Sequence, residues 1–247
     1  VGIKAIAGNL VISNGTALHM DYGSVSAGGE LVVGGNVSNA GTITLGQSAG
    51  DDLRVGGNFT NAATFNHNNR RVIFTKTGAA AIVTLSVPTT LAYVVFQPAS
   101  GSTTLQMSGA SALTISAPNA GNAITFNSAA DIFDLNTRAL TIGTTGVANT
   151  ITGGGTFRGS TTASLTLLGT GSIGTLSFGT GFQNLGTFTV NRTTGAIACF
   201  MGSPLAVVTA MNLTAGIIDL DAQTFTLNAA ATITGASSSN YFIADNA

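Results

Sequence analysis

The sequence predicts an all-β fold, a parallel and right-handed β-helix or β-solenoid of about ten turns. Three observations carry the prediction: a gapless internal repeat, a recurring apolar-hydroxyl-apolar triplet, and a composition poor in charge and rich in turn residues. The repeat comes first, because self-similarity at a fixed period decides architecture. Leu31-Val32-Val33-Gly34-Gly35-Asn36-Val37-Ser38-Asn39-Ala40-Gly41-Thr42-Ile43 recurs without a gap as Leu53-Arg54-Val55-Gly56-Gly57-Asn58-Phe59-Thr60-Asn61-Ala62-Ala63-Thr64-Phe65. Leu10-Val11-Ile12 stands nearly the same interval before Leu31-Val32-Val33 and reads as an earlier copy. Each unit reads as two short strands joined by a Gly-Gly-Asn corner, where glycine adopts positive φ easily.

The triplet extends the pattern. It occurs at Leu113-Thr114-Ile115, Leu140-Thr141-Ile142, Leu165-Thr166-Leu167, Leu176-Ser177-Phe178, Phe188-Thr189-Val190 and Phe225-Thr226-Leu227, at spacings that fit multiples of a half-turn. In a strand the flanking apolar residues share one face, and the hydroxyl residue takes the other. A longer duplication overlies this. Ile132-Phe133-Asp134-Leu135 through Ile142 matches Ile217-Ile218-Asp219-Leu220 through Leu227 much further along the chain. The chain therefore divides into opening turns over 1–82, a first solenoid module over 83–173 and a second copy over 174–247, forming one continuous rod. Stacked turns at about 4.8 Å would make it on the order of 50 Å long. Parallel crossovers are right-handed, which sets the expected hand.

Composition narrows the function. Of 247 residues only 7% are charged, against about 25% in an ordinary soluble domain. Eight basic and nine acidic residues leave a net charge of -1, so nucleic acid is not an expected partner. No apolar run approaches the roughly 18 residues of a membrane span. The absence of Trp also argues against the aromatic girdles of a membrane barrel. The start, Val1-Gly2-Ile3-Lys4-Ala5-Ile6, does not read as a secretory signal, which suggests a mature or trimmed form. The single Cys199, within Ile197-Ala198-Cys199-Phe200-Met201, reads as a small core residue.

The repeat style resembles that of large, repetitive surface proteins of the Bacteroidota. The likeness rests on Val55-Gly56-Gly57-Asn58-Phe59-Thr60-Asn61 with Asn68-Asn69-Arg70-Arg71-Val72-Ile73-Phe74, on Phe188-Thr189-Val190-Asn191-Arg192, on Ile217-Ile218-Asp219-Leu220 with Phe225-Thr226-Leu227, and on Gly235-Ala236-Ser237-Ser238-Ser239-Asn240-Tyr241-Phe242-Ile243. It implies an adhesin-like protein exported by the type IX secretion system, and it brings no active site. Arg70-Arg71 departs from the pattern, where such repeats tend to carry glycine. A C-terminal sorting domain is not evident, as in a cleaved product or a part of a longer one.

No catalytic residue, cofactor or metal site is expected. The acidic residues are Asp21, Glu30, Asp51, Asp52, Asp131, Asp134, Asp219, Asp221 and Asp245. Asp134 and Asp219 stand at equivalent positions of the two modules, favouring a repeated corner role. Asp51-Asp52 reads as a solvated loop with weak cation affinity at most, and Arg70-Arg71 with Lys76 as a solvated turn. His19 and His67 lack clustered ligands. Gly153-Gly154-Gly155 lacks the Lys and helix of a phosphate loop. Sequons begin at Asn14, Asn36, Asn58, Asn191 and Asn212, as this composition would produce without glycosylation.

The ends carry the functional expectation. A solenoid terminus exposes an unpaired strand edge unless a polar cap covers it. Val1, Ile3 and Ile6 at one end, and Tyr241, Phe242 and Ile243 at the other, are the candidate assembly residues. They would stack on, or lend a strand to, a second copy of the chain, making an extracellular surface fibre or filament, compatible with adhesion. The same ends would also suit a rod that continues covalently. The alternatives are a glycan-binding stalk module, with surface glycans as partner, and a β-helix polysaccharide lyase or hydrolase, which needs converging carboxylates. Few titratable groups also predict stability nearly flat between about pH 4 and 9.

Overall fold

A computed structural model describes residues 4–20 and 29–244, and the chain there is a β-solenoid of about ten turns with no helix. Every pairing between its strands is parallel, and successive strands of a sheet come from successive turns. A turn such as 53–66 has three short strands, Leu53–Val55, Phe59–Asn61 and Thr64–Asn66, one on each face of the coil. The expected two-strand unit thus gains a third strand.

The gapless repeat is one full turn: Leu31 stacks on Leu53 and Val37 on Phe59. The supposed earlier copy is differently placed. Leu10–Ile12 pairs with Val37–Asn39 on the second face, whereas Leu31–Val33 stacks on Lys4–Ile6. The first turn therefore runs from Lys4 to Leu31, longer than the next from Leu31 to Leu53, and the Leu-Val-Ile likeness reflected the shared apolar-in pattern of different faces. The Gly-Gly corners also work otherwise than expected, since Gly34, Gly35, Gly56 and Gly57 are not among the positive-φ glycines. A Cβ on Gly57 would lie 2.4 Å from Asn36 Oδ1 and 2.7 Å from the Gly35 carbonyl. Close stacking of one corner on the next, not backbone freedom, excludes a side chain there.

Five of the six triplets lie in one sheet of the third face. Leu113, Leu140, Leu165, Phe188 and then Met211 follow in register, with Thr114, Thr141, Thr166, Thr189 and Asn212 directed outward between buried neighbours. Leu176 lies halfway round the turn between Leu165 and Phe188, in a different sheet, as the half-turn spacing requires. The first two faces hand over to a four-stranded sheet through links Ile151 to Ile173 to Ala198 and the Phe157–Phe178 bridge. Ile132–Asp134 and Ile217–Asp219, matched by sequence, consequently belong to different sheets. Their corner is nonetheless the same: Asp134 Oδ1 accepts the Asn136 N–H, Asp219 Oδ1 accepts the Asp221 N–H, and Asn136 and Asp221 have positive φ.

Alternation sends one residue in two inward, and the interior fills with a phenylalanine stack. Phe96, Phe126, Phe133, Phe157 and Phe178 are linked by ring separations of 4.7 to 5.9 Å. Each such contact adds about 0.5–1.5 kcal/mol beyond the burial of its area. Cys199 is buried in this core as expected, and burial pushes its thiol up to about 12. No helix among the described residues is long and apolar enough to cross a membrane.

Candidate functional site

Two features stand out on this rod: its end turns and a groove on the outer first face. At the first described turn, Ile6, Leu10 and Leu18 point into the core yet stay partly exposed. At the last, Phe225, Leu227 and Phe242 do the same, with Phe225 and Phe242 rings 4.7 Å apart. Phe242–Ile243 pairs with Ile218 and Asp219 as the terminal strand of its sheet, and Tyr241 beside it is exposed. Of the sequence-derived end residues, the structure places Ile6 in the first strand and Tyr241, Phe242 and Ile243 at the last. Val1 and Ile3 lie outside the described residues.

The groove opens beside an outward column of the first face, of which Val95 and Thr125 line it. Successive turns place Arg54, Ile73, Val95 and Thr125 outward, one above another. Arg54 Nη2 bonds Glu30 at 2.9 Å and Gln97 Oε1 at 3.4 Å. That second contact crosses the strand between, and Ile73 beneath it is only 1% exposed. Corners 46–52 and 117–122 wall the groove, whose volume is about 650 Å³. Tyr93 lines it, its hydroxyl accepting the Asn119 N–H at 3.2 Å, which ties the ring to the second wall.

Asp52 and Arg71 meet at the groove's edge. Asp52 Oδ1 accepts the Arg71 backbone N–H at 2.7 Å, and Oδ2 accepts from Nε at 2.9 Å and Nη2 at 2.6 Å. The carboxylate is buried and the guanidinium half-exposed. The hydrogen bond to Asp52 and the charges of Asp52 and Glu30 raise Arg71 above the ordinary arginine value against the opposing effect of burial. The reading of Asp51-Asp52 as a solvated loop is therefore corrected: Asp51 is also buried, its Oδ2 accepting the Ser48 N–H at 2.8 Å, while Arg71 of the turn stays exposed and Arg70 Nη1 reaches the Ser48 carbonyl at 2.8 Å. A one-turn spacing had brought the loop and the turn together, and the carboxylates replace water as acceptors for backbone N–H groups.

A second hollow of about 630 Å³ opens on the third face, lined by Thr44, Phe65, His67 and Thr90. Here Thr64–Asn66 and Thr89–Leu91 belong to different sheets, so the third face is interrupted. His67 Nδ1 accepts the Asn69 N–H, and burial lowers the imidazole below its usual value. Asn69 and Arg70 border both hollows.

No family model, curated protein or solved structure matches this chain. Its site must be read from its own atoms. No group of three His, Cys, Asp or Glu that could hold a metal occurs among the described residues. Asp131 repeats the Asp51 arrangement, accepting the Ser128 and Thr103 N–H groups, each at 2.8 Å. Asp21 and Asp245 lie outside the described residues. Sequence reasoning passed over Tyr93, Gln97, Asn122 and Asn127. Their signal was position in turn-spaced columns, readable only once the register is known.

Proposed function

We propose that this chain is a structural module of an extracellular rod, and that copies join through their end turns into a surface fibre. The observation that carries the reading is the state of the core at both ends. Ile6, Leu10 and Leu18 on one side, and Phe225, Leu227 and Phe242 on the other, are inward-facing residues left partly exposed. A further parallel turn laid on either edge would bury these side chains and satisfy the unpaired strand, with about 25 cal/mol gained per Å² of apolar area covered. The sparse charge and the outward Thr and Ser of the third face support a neutral building element. The likeness of its repeats to exported surface proteins points to the same location.

Sedimentation velocity over a wide concentration range, with negative-stain microscopy of the concentrated protein, tests the reading. Expected are rods lengthening in steps of one chain. Replacing Phe242 with Asp should stop the growth without unfolding the body. Monodisperse single chains at every concentration would overturn the proposal.

A further inference from the structure

We propose that the first-face groove binds an acidic oligosaccharide, a chain of sugar rings bearing carboxylate or sulfate groups. The inference does not depend on assembly through the ends. It rests on what the groove has left to offer once internal bonds are made. Two of its three charged residues are Arg70 and Arg71, and the third, Asp52, spends both oxygens on Arg71. Asp51, behind the wall, has its two oxygens on the backbone N–H groups of Gly29 and Ser48. No carboxylate among the residues lining the groove is left to accept from a ligand, and Glu30, outside the lining, is paired with Arg54.

The donors are not exhausted. Arg71 Nη1 and Arg70 Nη2 make no hydrogen bond among the described residues. Gln97 and Asn122 use their side-chain oxygens, accepting from Arg54 and Thr150, which leaves the amide NH₂ groups unspent, and Asn127 makes no side-chain bond there. The groove thus presents one unspent guanidinium nitrogen from each of two arginines, and three planar amides, around one anchored tyrosine ring. Charged guanidinium N–H groups donate short, strong hydrogen bonds to carboxylate and sulfate oxygens. Amides match the paired hydroxyls of a sugar ring, and the tyrosine supplies an apolar flank with a polar tip. A volume of about 650 Å³ is that of a small-molecule site of ordinary size.

The test is titration calorimetry of the whole chain with three probes: oligogalacturonate, a sulfated galactan oligomer, and a neutral cello-oligosaccharide, with polyglutamate as acidic control. One or both acidic saccharides should bind, roughly tenfold or more tighter than the neutral one, and weaken with salt. The preference between them identifies the anionic group. Arg71→Gln should cost roughly tenfold. Because loss of its Asp52 partner can unfold the wall, the exposed pair Asn122→Ala and Asn127→Ala provides the second variant, expected to weaken binding several-fold with unchanged melting. Arg158→Ala, outside the groove, should leave affinity unaltered. Equal binding of the neutral oligomer or of polyglutamate, no binding of either acidic saccharide, or affinity indifferent to the Asn variants would overturn the proposal.

Discussion

Arg192 reaches across two turns to Asn149, donating Nη1 to the side-chain oxygen and Nη2 to the backbone oxygen, each at 3.0 Å. The same guanidinium donates to the carbonyls of Gly171, Thr170 and Leu168 in the turn between. Three turns of the corner are pinned by one buried cation that has no carboxylate partner among the described residues. Burial lowers its value to about 10, so it stays charged at neutral pH.

Replacing Arg192 with Ala should therefore be severe. It leaves several buried acceptors without donors, and about 3 kcal/mol or more of unfolding free energy should be lost. Lys, with one ammonium in place of a fork, should recover only part. Urea unfolding followed by circular dichroism measures both.

Asp131 should behave as a staple between turns. Its two oxygens hold the Ser128 N–H within the loop and the Thr103 N–H one turn earlier. Asp131→Ala should cost about 2–3 kcal/mol, and Asp131→Asn less, because one acceptor oxygen remains. Amide exchange at Thr103 should rise in the Ala variant.

Gly57→Ala should destabilise although Gly57 has an ordinary φ. The added methyl meets Asn36 Oδ1 and the Gly35 backbone well inside contact distance. Gly50→Ala gives the contrast: its φ is +91° with open space around the Cβ position, so strain there is conformational only. Separation of the corners should cost about 1–3 kcal/mol at Gly57, read from the denaturation midpoint.

Cys199 makes stability fall in alkali. Its folded thiol ionises at about 12 against 9.0 when free. Above about pH 9 the unfolded chain releases this proton while the folded chain keeps it, so unfolding is favoured as pH rises from 9 towards 12. Below pH 9 the contribution is constant. The difference in stability between the wild type and Cys199→Ala should be flat from about pH 6 to 8 and then turn against the wild type. Iodoacetamide at about pH 8 should leave the native chain unlabelled, since the shift cuts the thiolate fraction about a thousandfold.

Much of the fold could be read from particular residues. Leu31 to Ile43 against Leu53 to Phe65 gave the period, and Thr114, Thr141, Thr166 and Thr189 gave one outward column, because a strand's period of two is local. Leu10 to Ile12 misled for the same reason: a three-residue apolar pattern is common to all three faces, and only pairing says which face it occupies. Asp52 and Arg71 show the limit for the groove. Each looked solvated in its own loop, and neither loop holds information about the other.

What the sequence determined alone is the solenoid itself, since a repeated turn can bury its apolar face only against copies of itself. What the tertiary structure decided is which side chains meet. Turn length varies on the first face, where the step from Leu53 to Val72 is far shorter than the step from Val94 to Ile124, so each inserted residue moves a corner without breaking the stack. The long step raised one wall of the groove, the short one set Arg71 beside Asp52, and the stacking of two later turns set Arg192 beside Asn149. Contacts between turns depend on register, and register is fixed only when hydrogen bonds and burial are satisfied together along the whole rod.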